Sequence, residues 1–160
     1  MQGDPKVIDF LNQALTNELT AVNQYWLHYR LLNHWGVKKL AEFERHESID
    51  EMKHADQLAD RILVLDGLPN FQAIGRLKIG ESVEEILRAD LALEMEAIPL
   101  LKDAIAHAET VRDFVSRDLF ESILANEDEH VDTLETQFEM IARMGLENYV
   151  QLQSKAAEAS

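Results

Sequence analysis

The chain carries two Glu-x-x-His motifs, Glu51 with His54 and Glu127 with His130. On a helix, a spacing of three puts carboxylate and imidazole on one face, close enough to share an ion. One such motif is weak evidence, because Glu and His are common on solvated helix faces. The pair gains weight beside Glu18 and Glu94. Glu18 precedes Glu51 by 33 positions, and Glu94 precedes Glu127 by the same 33. Glu18, Glu51 and His54 each have a counterpart 76 positions later, at Glu94, Glu127 and His130. Chance explains this poorly. Four carboxylates buried without counter-charge would repel one another and resist ionisation, and two divalent cations remove that cost. Carboxylate with imidazole and no thiolate favours iron or manganese, and zinc is compatible by ligand type.

The elements that must position these residues are helices. Asp4-Pro5 is a cap followed by a first-turn proline. From there Val7, Leu11, Leu15, Val22, Trp26 and Tyr29 recur at three-and-four spacing, predicting a helix over about 5–34. After a break at Asn33–Gly36, a second run predicts a helix over 37–66, stopped by Asp66-Gly67-Leu68-Pro69. Residues 67–81 read as a connection. Leu68, Phe71, Ile74, Leu77 and Ile79 suggest that it lies against apolar surface. Ser82 with Glu85 forms a capping box opening a helix over 83–108, in which Pro99 should introduce a kink. Further helices are expected over 113–144 and, shorter, over 146–153.

The midpoint between Glu18 and Glu51 falls in the first break, and that between Glu94 and Glu127 near Thr110–Asp113. Antiparallel fold-back at both places sets all six residues level. The connection must then run the bundle's length. A helix of thirty residues is about 45 Å long, and fifteen extended residues reach about 50 Å. The fold expected is all-α, a ferritin-like four-helix bundle with one long crossover and a short fifth C-terminal helix, as one domain over 1–160.

Composition narrows the classes. There is no cysteine, so disulfide scaffolds, thiolate zinc sites and rubredoxin-type iron are excluded. A net charge of −15 argues against nucleic acid and anionic membrane as partners. No apolar stretch approaches a membrane span and no signal core is present, which is compatible with a cytoplasmic protein.

The run His46-Glu47-Ser48-Ile49-Asp50-Glu51-Met52-Lys53-His54-Ala55-Asp56 resembles the second-helix signature of the bacterioferritins, and the resemblance extends over essentially the whole chain. It implies iron storage and detoxification by a ferroxidase, with Fe(II) oxidised by O₂ or hydrogen peroxide and held as ferric mineral. Glu18, Glu51, His54, Glu94, Glu127 and His130 would be the ligands of two irons, Glu51 and Glu127 bridging them. Met52 matches the axial ligand of haem b, one haem per subunit pair. The resemblance further implies a homo-oligomeric 24-subunit shell of twofold dimers and a ferredoxin-like reductant that releases iron through the haem.

Other residues carry weaker signals. His46 and Asp50 resemble an inner-surface iron site, or form a solvated pair. Tyr25 reads as a core residue bonded to a carboxylate, with a place near the metals as the alternative. Asp113, Asp118 and Glu121 either line a pore or complement helix starts. His28, His34 and His107 read as surface or packing residues, and Trp26, Trp35, Met95, Met140 and Met144 as core or interface. Among competing readings, a non-haem ferritin normally lacks the second Glu-x-x-His and the methionine. A haem-bridged electron carrier would keep its irons as a fixed cofactor. A purely structural bundle would be destabilised by six buried ligands. A rubrerythrin-type peroxidase would need cysteine.

Overall fold

A computed structural model describes residues 1–155; the last five positions of the expected domain, 156–160, lie outside the described residues. Five helices follow in order: α1 (Pro5–His34), α2 (Lys38–Val64), α3 (Val83–Thr110), α4 (Phe114–Met144) and α5 (Leu146–Gln153). The described residues contain no strand. α1 packs along α2, α3 along α4, and α1 against α3. Among the described residues no helix is long and apolar enough to cross a membrane.

The caps act where the sequence places them. Asp4 accepts from the Val7 amide at 3.0 Å, ahead of Pro5. Ser82 accepts from the Glu85 amide at 3.2 Å, while the Glu85 carboxylate reaches back to the Glu81 amide, one residue before the cap. Asp113 accepts from the Ser116 amide at 3.0 Å and from Arg61 of α2 at 2.9 Å, tying the start of α4 to α2. Gly36, at φ +83°, makes the first turn, where a side chain would be strained. α3 runs without interruption through Pro99 and ends two residues later than expected.

The long connection differs from expectation in what holds it. Leu68, Phe71, Ile74 and Ile79 are exposed, Leu68 at 83%. Polar side chains of α1 hold the strap instead. The Asn70 amide donates to Asn12, Gly75 to Thr20, Lys78 to Gln24 and Gly80 to His28. These four acceptors climb one face of α1, so each anchors a successive stretch of extended backbone whose amides have no ladder partner.

Two apolar clusters occupy the ends of the bundle. One gathers Leu11, Leu15, Leu58, Ile62, Phe120 and Ile123, the other Leu32, Leu40, Ile86, Leu87, Leu134 and Tyr149. Between them the interior holds buried polar side chains, with a small apolar group of Ala21, Tyr25 and Leu93 beside them.

Candidate metal centre

α1 and α3 each deliver one glutamate to this interior, and α2 and α4 each deliver a Glu-x-x-His face. All six residues are at most 9% exposed. His54 Nδ1 stands 3.6 Å from Glu18 Oε2, 3.6 Å from Glu51 Oε2 and 3.8 Å from Glu127 Oε1. His130 Nδ1 stands 3.2 Å from Glu51 Oε1, 3.5 Å from Glu94 Oε1 and 3.7 Å from Glu127 Oε2. Glu51 and Glu127 thus turn one oxygen toward each imidazole. Glu18 belongs to the His54 half only, and Glu94 to the His130 half only. The result is two overlapping four-residue groups that share two carboxylates, each compact enough to hold one ion.

The donors fit metal better than they fit one another. Glu18 Oε2, Glu94 Oε2 and His54 Nδ1 are buried without a hydrogen-bond partner. Such groups cost free energy unless an ion or proton satisfies them. A small cavity beside them is lined by all four ligand-type glutamates and by Ala21, Leu93 and Ala97.

The two halves are not equivalent. Glu47, which sequence reasoning left unassigned, puts Oε2 2.6 Å from His130 Nε2. The two form an ion pair without hydrogen-bond alignment, and Nδ1 faces the carboxylates; a carboxylate is a common outer partner of a metal-binding histidine. Burial opposes a charge on His130, but Glu47, Glu51 and Glu94 outweigh it and push its pKa up to about 12. Glu47 lies one helical turn before Glu51, so helix spacing could have flagged it. The 76-residue repeat could not, because the matching position is Ile123. Tyr25 is buried, and its hydroxyl donates to Glu94 Oε1. Burial, then the charges of Glu94, Asp90 and Glu44, hold the phenol well above its ordinary pKa, so it stays a donor.

His28, expected at the surface or in packing, is fully buried and bonded to Asp90 Oδ1 at 2.8 Å. Glu44 completes that cluster. His107 pairs with the cap Asp4 at 2.9 Å, and His34 is exposed. His46 is exposed, whereas Asp50, one turn later, groups with Glu47 and His130. Asp113 is committed to its cap and to Arg61, Asp118 pairs with Arg117, and Glu121 is exposed. Trp26, Trp35, Met52 and Met95 lie on the outside, between 40% and 54% exposed, while Met140 and Met144 pack against the α5-end cluster.

The family model of the ferritin-like domain matches residues 8–144. A bacterioferritin of Brucella melitensis is 50% identical over 158 residues, covering 99% of this chain and 98% of the relative. One of Streptomyces coelicolor is 51% identical over 150 residues, 94% of this chain and 90% of its own length. One of Mycobacterium tuberculosis is 50% identical over 149 residues, 93% and 94% of the two chains. A ligand-rich bundle interior, a full-length domain match and half-identical relatives along the whole chain agree: the chain belongs to the bacterioferritin family.

Proposed function

We propose that this protein stores iron and is a ferroxidase, binding two Fe(II) among Glu18, Glu51, His54, Glu94, Glu127 and His130 and passing their electrons to O₂ or hydrogen peroxide. The observation that carries this reading is the sharing of Glu51 and Glu127 by both imidazoles. Carboxylates that offer one oxygen to each of two positions hold two ions close together, so one oxidant molecule meets two one-electron donors at once. Dioxygen that takes up two electrons and two protons becomes hydrogen peroxide, and peroxide that takes up two more of each becomes water. Ferric product passes inward to a mineral within a cytoplasmic 24-subunit shell.

Haem b, at one per subunit pair, fits Met52. Met52 is 42% exposed, outside the core, and would hold the haem through its soft thioether together with a twofold copy. When bound, haem supplies a one-electron path by which a ferredoxin-like reductant returns iron to Fe(II). His46 and Asp50 would take iron on the inner surface; Asp50 lies within reach of Glu47 and His130, whereas His46 is exposed apart from that group.

Stopped-flow oxidation of Fe(II) tests the site. Glu94→Ala and Glu127→Ala each remove a ligand and are expected to slow the first phase at least about tenfold, with helicity retained. Parental rates in either variant would reject the assignment.

A further inference from the structure

Beyond the metal centre, toward α5, Glu44 of α2, Asp90 of α3 and His28 and Gln24 of α1 are all fully buried. Both oxygens of Glu44 and Oδ2 of Asp90 lack a hydrogen-bond partner, and Glu44, Asp90 and His28 offer atoms within 4.8 Å of one another. The hydrogen bonds around Asp90 have a direction. His28 Nε2 accepts from the Gly80 amide at 3.0 Å, so the ring hydrogen sits on Nδ1 and is donated to Asp90 Oδ1. Gln24 Oε1 accepts from the Lys78 amide, and its Nε2 also donates to Asp90 Oδ1. Asp90 therefore receives two N–H groups on one oxygen, the pattern of an ionised carboxylate. Its other oxygen and the Glu44 carboxylate are acceptors facing one another with nothing between.

Packing does not require this arrangement. Under the 76-residue relation, Asp90 corresponds to Ala14, Glu44 to Phe120, His28 to Ala104 and Tyr25 to Leu101. All four lie in the apolar cluster at the opposite end. The same bundle closes there with hydrocarbon, so the polar version belongs to the Glu94–His130 half of the centre alone.

We propose that Glu44 and Asp90 form a buried acid–carboxylate pair holding one proton, with Glu44 the neutral donor. A proton suits the place better than a third metal ion. Both nitrogens of His28 are engaged, which leaves two carboxylates as ligands in a site without solvent. Glu44 stands near His28 of α1 and Asp90 of α3, it feels the charges of Glu94 from α3 and Glu47 from α2, and its own charge acts on Tyr25 of α1 and Tyr149 of α5. Burial, then the charge of Asp90, hold Glu44 well above the ordinary carboxyl range. The pair is a positioning device. Asp90 and Glu94 are one turn apart on α3, as are His28 and Tyr25 on α1, so the pair and the strap together lock the helices that set Tyr25 on Glu94.

The test compares Glu44→Gln with Glu44→Ala in the full chain, metal-free and loaded with Zn(II). Carboxylates that bind metal are ionised, so a carboxylic-acid C=O infrared band present in the loaded protein at pH 7 belongs to the pair; Glu44→Gln should abolish it. Glu44→Gln keeps a donor and should fold normally, whereas Glu44→Ala should be destabilised. The native pair binds a proton that the unfolded chain releases above about pH 4.5. Stability of the parent relative to Glu44→Gln should therefore fall by up to about tenfold in the folding constant per pH unit as pH rises above that value. Three results would each overturn the proposal: no acid band in the loaded parent, parallel stability–pH curves, or a third Zn(II) per chain that Glu44→Gln removes.

Discussion

His130 lies between carboxylates of different purpose: Glu47 on its Nε2 side, and the ligand set of Glu51, Glu94 and Glu127 on its Nδ1 side. In the metal-free protein burial disfavours its charge, but Glu47, Glu51 and Glu94 push its pKa up to about 12. That contribution to stability is complete below about 6.5 and is lost as pH rises through about 12. A metal ion must displace the Nδ1 proton. Titrating Zn(II) at pH 7 in buffers of different ionisation heat should therefore show net proton release, and affinity should rise with pH. Binding without proton release would mean that His130 is not a ligand. Glu47→Gln keeps the shape but removes the charge beside Nε2, and is expected to lower metal affinity about 10–100-fold. The six ligand-type residues were legible because they repeat at a fixed interval. Glu47, Glu44, Asp90 and His28 were not, because their repeat partners Ile123, Phe120, Ala14 and Ala104 are apolar. A pattern found by internal symmetry misses whatever breaks that symmetry.

At the scale of the element, the helix starts could be read closely because Asp4, Ser82 and Asp113 are local signals, each satisfied within three residues. The crossover shows the opposite case. Its apolar residues suggested a packed strap, yet its path is fixed by hydrogen bonds to side chains more than fifty positions away. No local rule contains such a partner. Gly80 is the tightest point, since a Cβ there would lie 2.3 Å from the Ile86 amide nitrogen. That atom and the Glu85 carbonyl carbon, 2.6 Å away, are backbone and cannot swing aside, so Gly80→Ala must push the strap away from α3 and strain the His28 bond. The expected loss exceeds about 1 kcal/mol, read by denaturant unfolding. Thr20→Val removes the acceptor of the Gly75 amide and should cost about 1 kcal/mol, with faster amide exchange confined to the strap. An unchanged exchange pattern would show that the strap is held by something other than these bonds.

Over the whole molecule, several large apolar side chains are exposed, among them Trp26, Trp35, Met52, Leu63 and Met95. Assembly covers such a surface, and Met52 discriminates best between assembly as packing and assembly as cofactor binding. It follows Glu51 directly, so it projects about 100° away from that ligand, and the 42% exposure agrees. If Met52 serves only a dimer interface, leucine replaces it with little loss, because volume and apolarity are kept. If it ligates haem, only the sulfur matters. Met52→Leu is therefore expected to lose the b-type Soret band, to elute at the parental assembled mass, to oxidise Fe(II) at a near-normal rate, and to release iron slowly under reduction. The unaltered oxidation follows from geometry, since Met52 lies outside both four-residue groups. Haem retained by the leucine variant would reject the axial role. A collapsed oligomer would assign the side chain to packing.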